Sequence, residues 1–102
     1  MSDAFKTPTL ARLREQRDTI IALAERYGAS NVRVFGSVAR NEATPESDVD
    51  LLVEFASDYK LRDLIRLTQA LQNLIQHRVE VVDQTNIREE LRRHIMRDAT
   101  PL

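Results

Sequence analysis

The chain has no cysteine and no tryptophan, and only two glycines and three prolines among 102 residues. Without cysteine, neither a disulfide scaffold nor a zinc ribbon can be built. No apolar run approaches the ~18 residues that a membrane-spanning helix requires. An excess of either charge is also missing: 15 Lys and Arg face 16 Asp and Glu, for a formal net charge of −1. A nucleic-acid binder normally carries a basic excess, so no direct nucleic-acid contact is expected. The stretch Met1–Asp18 holds no apolar segment of the kind that forms a secretory leader. The expected location is therefore the cytoplasm, with no membrane partner.

What is present is an ordinary globular composition, 42% hydrophobic, with no repeat or low-complexity segment. The length fits one domain over residues 1–102, too small to carry the template-holding parts of a polymerase. Thr7 and Pro8 read as a cap and a first-turn proline. Leu10, Leu13, Ile20, Ile21, Ala24 and Tyr27 then recur at helical spacing, giving a helix over Thr9–Tyr27 that stops at Gly28. The β-branched run from Asn31 to Gly36 reads as a strand. The polar stretch Val38–Ser47 reads as a loop whose first residues can form a short helical turn. Asp48–Phe55 alternates with period two, with Val49, Leu51, Val53 and Phe55 facing the core and Asp48, Asp50, Leu52 and Glu54 on the other face. Leu61, Leu64, Ile65, Thr68, Leu71 and Ile75 mark a helix over Lys60–Gln76, its stripe widened by Leu67 and Leu74. Arg78–Asp83 alternates as a third strand, and Ile87, Leu91 and Ile95 mark a last helix over Ile87–Arg97. The order α-β-β-α-β-α predicts an α+β fold, a small mixed sheet with helices packed on it.

Asp48 and Asp50 are the sharpest chemical feature. Carboxylates at i and i+2 on a strand share a face, roughly 7 Å apart at Cα. Their mutual repulsion makes the pair costly unless a cation joins it, and Mg²⁺ suits hard oxygen donors. The alternative is two solvated aspartates at a strand edge. Ten residues upstream, Gly36 and Ser37 end the first strand. A glycine there allows close approach of a ligand, and a serine offers a hydroxyl and an N–H to phosphate. Alone the pair could be a turn; together the order places a phosphate cradle beside a metal site. There is no G-x-x-x-x-G-K-[ST] loop, which argues against a P-loop ATPase.

Gly36-Ser-Val-Ala-Arg40 followed by Ser47-Asp-Val-Asp-Leu-Leu-Val53 resembles the nucleotidyltransferase motif of the DNA polymerase β superfamily. More narrowly, nearly the whole chain resembles the minimal nucleotidyltransferase (MNT) proteins, the antitoxins of HEPN–MNT toxin–antitoxin pairs. That resemblance implies a polymerase-β-palm-like core in which Gly36 and Ser37 contact a nucleoside triphosphate and Asp48 and Asp50 ligate two Mg²⁺ ions. Arg40 matches the family's arginine and could meet phosphate or a loop carboxylate. Glu80, in Val79-Glu-Val-Val82, stands where the family usually has an Asp as third carboxylate. Its parity points it away from Val79 and Val81, whereas the rival Asp83 shares their face; the alternative for Glu80 is an exposed strand residue.

The resemblance implies an enzyme that transfers AMP from ATP to a tyrosine hydroxyl of a cognate HEPN ribonuclease toxin and releases pyrophosphate. The partners it implies are that toxin and a nucleoside triphosphate, with homo- or hetero-oligomers possible. The alternatives are an antitoxin that neutralises by binding alone, with Glu80 reflecting weakened catalysis, and an enzyme acting on a small molecule. The last usually requires an added helical domain. Glu54, Arg62 and Arg66 read as solvated, and so do Arg88, Arg92, Arg93 and Arg97, which could instead bind a partner. His77 and His94 lack ligand spacing, and Tyr59 has no assigned chemistry.

Overall fold

The structure, a computed structural model, describes residues 7–102. Thr9 sits in extended conformation and its hydroxyl accepts a hydrogen bond from the Arg12 N–H (3.1 Å), starting α1, Leu10–Glu15. Thr9 therefore takes the capping role expected of Thr7, and Pro8 precedes the cap rather than following it. The single helix expected over Thr9–Tyr27 is broken at Gln16, and α2 runs Arg17–Arg26. Between the buried Leu13 and Ile20 lie six polar residues, so no buried side chain holds the middle of one continuous helix. The Gln16 amide instead donates to the Leu74 carbonyl (3.3 Å). Gly28, at φ +83°, turns the chain out of α2.

The first strand, β1, spans Ala29–Phe35 and so begins two residues earlier than expected. A register irregularity lies between Ser30 and Arg33, where Asn31 adopts φ +52°. The short turn expected from Val38 onward starts two residues earlier, as α3, Gly36–Ala39, which takes Gly36 and Ser37 out of the first strand, and β2 spans Val49–Phe55. The long helix α4, Leu61–Ile75, opens with the Asp63 carboxylate accepting from the Lys60 N–H (2.9 Å) and ends at Gln76, at φ +64°. Next come β3, Val79–Asp83, a 3₁₀ turn over Gln84–Asn86, and α5, Glu89–Asp98. Ile87 falls before α5 rather than inside it. A two-residue strand, β4 (Thr100–Pro101), pairs with β1 and was not expected, since two residues cannot carry an alternation pattern.

The sheet order is β3-β2-β1-β4, with β1 antiparallel to β2 and β4, and β3 parallel to β2. The result is the expected α+β fold with a mixed sheet. Central β2 is buried on both faces. Val49, Leu51 and Val53 meet α-helical residues such as Ile20, Leu67 and Leu71 in the main core. Leu52, on the other face, is equally buried, because the 3₁₀ turn packs on β2 and α5 on β1. Arg33 lies in register with Leu52 and is buried too. Burial lowers the affinity of its guanidinium for a proton, and the charge of Glu54, 4.0 Å away, offsets part of that. Glu54 is thus tied to the sheet, also accepting from the Asn31 amide (2.5 Å).

The apolar stripe of α4 is centred on Leu67 and Leu71, not on its first turn: Leu61 is 68% exposed and Ile65 49%. Among the described residues no helix is long and apolar enough to cross a membrane. Leu67→Ala should cost about 2–5 kcal/mol in urea unfolding. Leu61→Ala should change stability by no more than about 0.5 kcal/mol.

Candidate active site

Three neighbouring strands bring the predicted residues together. Asp50 of β2 lies in register with Glu80 of β3 on one side and with Phe35 of β1 on the other. Gly36 and Ser37 follow Phe35 directly, so Glu80, Asp50 and Gly36 form a row across the sheet. Parity does the rest: in the parallel pair, residues in register point to the same face, and Asp50 and Glu80 meet there. Asp48 precedes the first residue of β2. It is positioned by a tight turn in which the Thr44 N–H donates to the Ser47 hydroxyl (2.8 Å) and the Ser47 N–H to the Thr44 carbonyl (3.0 Å). The Val49 N–H then donates to the Arg78 carbonyl (2.9 Å), locking the start of β2 to β3.

Gly36 is required twice over. Its φ of +74° is a conformation that residues with a side chain rarely adopt, and a Cβ built there would run into the Asp50 carboxylate. The glycine at the strand end therefore makes room first of all for Asp50. Ser37 lies in the first turn of α3, and its carbonyl accepts from the Glu42 N–H (2.8 Å). Its hydroxyl has no protein partner among the described residues.

The electrostatics are those of crowded like charges. The Asp50 carboxyl is pushed up from the usual carboxylate range to about 6. Burial is the largest cause, followed by the charges of Glu80 and Asp48 and by a hydrogen bond shared with Glu80; Arg40 offsets part of the shift. Little positive charge answers these groups. The Arg78 guanidinium stands 4.0 Å from Asp48, largely in solvent. Arg40, expected at phosphate or at a loop carboxylate, caps α3 and donates to Glu42 (2.8 Å) and Asp98 (2.6 Å). Asp98, at the end of α5, is an ion-pair partner of Arg40 that sequence reasoning missed, since nothing local links the two. Asn41, at φ +60° just beyond α3, was also missed. An asparagine after a helix is a usable signal for that conformation.

As the side chains stand, no three His, Cys, Asp or Glu groups among the described residues enclose a metal position. His77, in the turn before β3, and His94, on α5, take no part in the row. Tyr59 stacks on Phe55 (ring centroids 4.3 Å) and serves packing. Asp83 is buried and accepts from the Thr85 N–H and hydroxyl, so it holds the 3₁₀ turn.

A Nucleotidyltransferase domain family profile matches residues 17–101. The chain belongs to the nucleotidyltransferase family. Within it, the chain is 34% identical over 87 residues to MJ0435 of Methanocaldococcus jannaschii, a candidate protein adenylyltransferase (85% of this chain, 94% of that one). It is 36% identical over 76 residues to the protein adenylyltransferase MntA of Thermococcus cleftensis (74% and 77%). A solved candidate minimal nucleotidyltransferase superposes with a TM-score of 0.82 at 44% identity, covering 93% of this chain and 97% of that one. A complex of a triply AMPylated HEPN toxin of Shewanella oneidensis with an MNT antitoxin matches with a TM-score of 0.67 at 19% identity (86% and 69%), a likeness of fold. This nucleotidyltransferase is thus an MNT protein in sequence and architecture.

Two predictions follow from the geometry. Gly36→Ala should destabilise the fold by about 1–3 kcal/mol, read by chemical denaturation, because it forces a strained backbone against Asp50. The second concerns pH. A carboxyl raised in the folded state contributes stability below its unfolded pKa, near 4, and that contribution is lost as pH rises through about 6. Asp50→Asn should accordingly raise the melting temperature above pH 7 in EDTA and change it little at pH 4, as thermal melts at the two pH values would show.

Proposed function

We propose that this protein is a Mg²⁺-dependent protein adenylyltransferase that moves AMP from ATP to a tyrosine hydroxyl of a HEPN toxin, and so acts as an antitoxin. The observation that carries the reading is the row Glu80–Asp50–Gly36: a carboxylate pair abutting a glycine whose missing side chain makes room for Asp50. The relatives support it, since one is a protein adenylyltransferase and the fold is shared with the antitoxin of an AMPylated toxin.

The donor set fits a divalent cation. Asp48, Asp50 and Glu80 offer only hard oxygens, and burial first, then the charges of Glu80 and Asp48, raise the pKa of Asp50 beyond what Arg40 offsets. These three residues would hold Mg²⁺, with two ions expected for this chemistry. Bound there, Mg²⁺ supplies Lewis-acid stabilisation of the charge that develops on the transferring phosphate. Gly36 and Ser37 would bind the triphosphate through backbone N–H groups and the free Ser37 hydroxyl. Glu80 reaches the position opposite the Gly36 side of Asp50 and would accept the proton of the attacking hydroxyl. The acceptor oxygen bonds to the α-phosphorus, the bond to the β-phosphate oxygen breaks, and pyrophosphate leaves with that electron pair. The extra methylene of Glu80, compared with an Asp, lengthens its reach toward Asp50 across the strand pair. Arg40 would bind phosphate only by leaving Glu42 and Asp98.

Asp50→Asn should lower Mg²⁺-dependent AMP transfer by about 10²-fold or more, since several kcal/mol of charge stabilisation goes with the cation. Glu80→Gln should act in the same direction. The measurement is the intact mass of a HEPN partner after incubation with ATP and Mg²⁺. Undiminished mass addition by Asp50→Asn would remove the carboxylate row from the mechanism.

A further inference from the structure

The order of the strands separates the two sides of the reaction centre. Gly36 and Ser37 lie on the β1 side of Asp50, and Glu80 lies on the β3 side. A nucleotidyl transfer proceeds by in-line displacement, with attacking and leaving oxygens on opposite sides of the phosphorus. A triphosphate seated on Gly36 and Ser37 sends its pyrophosphate away over β1. The attacking hydroxyl must then arrive from over β3.

That side carries a built surface. β3 is an edge strand, and a groove of about 550 Å³ runs between it and α4, with Leu64, Ile65, Val79 and Val81 among its lining and Asp48 and Glu80 at its rim. Leu61 lies one turn farther along α4 from Ile65. Both are large, apolar and exposed, and neither is needed by the core. The edge also has backbone to offer. The Arg78 carbonyl is directed at β2, where it accepts from Val49, so the next residue's N–H is directed outward. Indeed the Val79 N–H is taken by the Gln72 side chain (3.1 Å). Two residues on, Val81 turns its N–H and C=O outward as well, outside the β2–β3 ladder.

We infer that the acceptor protein binds as an extended segment with apolar side chains, laid along the outer edge of β3 at Val81 in the groove beside α4, and from there presents its hydroxyl at Asp50 and Glu80. The inference rests on the adenylyltransferase reading and names the surface that reading leaves open. Strand addition draws affinity from main-chain hydrogen bonds and specificity from contacts to alternate side chains; Ile65 lines the groove, and Leu61 is exposed one turn away from it.

The test uses Leu61→Glu and Ile65→Glu with a HEPN toxin as acceptor. Both variants should bind AMP-PNP with Mg²⁺ within about twofold of wild type, which also reports that they are folded. Their KM for the HEPN protein should rise about tenfold or more. In the wild-type complex, hydrogen exchange at the Val81 amide should slow at least about tenfold. An unchanged KM in both variants, or unaltered Val81 exchange, overturns the inference. A wild type that transfers no AMP to the HEPN protein defeats the functional reading itself. A wild type that transfers AMP while both variants match it defeats only the docking surface.

Discussion

The burial of Asp50 beside Asp48 and Glu80 is the constraint that the rest of this small fold has to hold in place. Carboxylates do not gather beside a buried strand spontaneously; burial and mutual charge together hold the Asp50 proton on to about pH 6. The arrangement survives because the backbone leaves it no alternative. The register of β2 with β3 fixes Asp50 opposite Glu80, and the register with β1 fixes Gly36 against Asp50. Under the proposed function, a cation bound there would remove a cost already incurred in folding.

The rest of the molecule holds that register. β2 is packed on both faces, Leu51 and Val53 against the main core and Leu52 beneath the second layer, so a slip by one residue would turn Asp50 and Glu54 into the main core. The Ser47 turn fixes where β2 begins. Arg40 ties α3, the element that carries Ser37, to the end of α5 through Asp98, and α5 leads directly into β4, which pairs with β1. The chain thus closes on its own site: the segment before β2 and the last strand brace the same glycine-containing corner.

Much of this was legible in the sequence, for stated reasons. Period-two alternation in Val49–Phe55 and Val79–Val82 predicted which side chains share a face, and the shared face of Asp50 and Glu80 follows from it. The family resemblance drew on the same residues. Other features were not legible because they depend on tertiary packing. The break at Gln16 reflects a polar stretch that only a bundle neighbour can resolve. The burial of Leu52 needed the second layer. The exposure of Leu61 and Ile65 contradicted a stripe that periodicity alone placed in the core, and it is the edge position of β3 that leaves them uncovered. The engagement of Arg40 by Asp98 joins residues 58 apart in sequence, beyond any local pattern.

The central claim is that the carboxylate row is a cation site, and thermal unfolding as a function of Mg²⁺ at pH 7.5 tests it most directly. A ligand that binds only the folded chain raises the melting temperature with concentration. Wild-type protein should melt progressively higher as Mg²⁺ is raised, and an Asp48→Asn, Asp50→Asn double variant, itself folded, should not respond. An equal rise in both proteins, or none in the wild type even with AMP-PNP present, would contradict the claim.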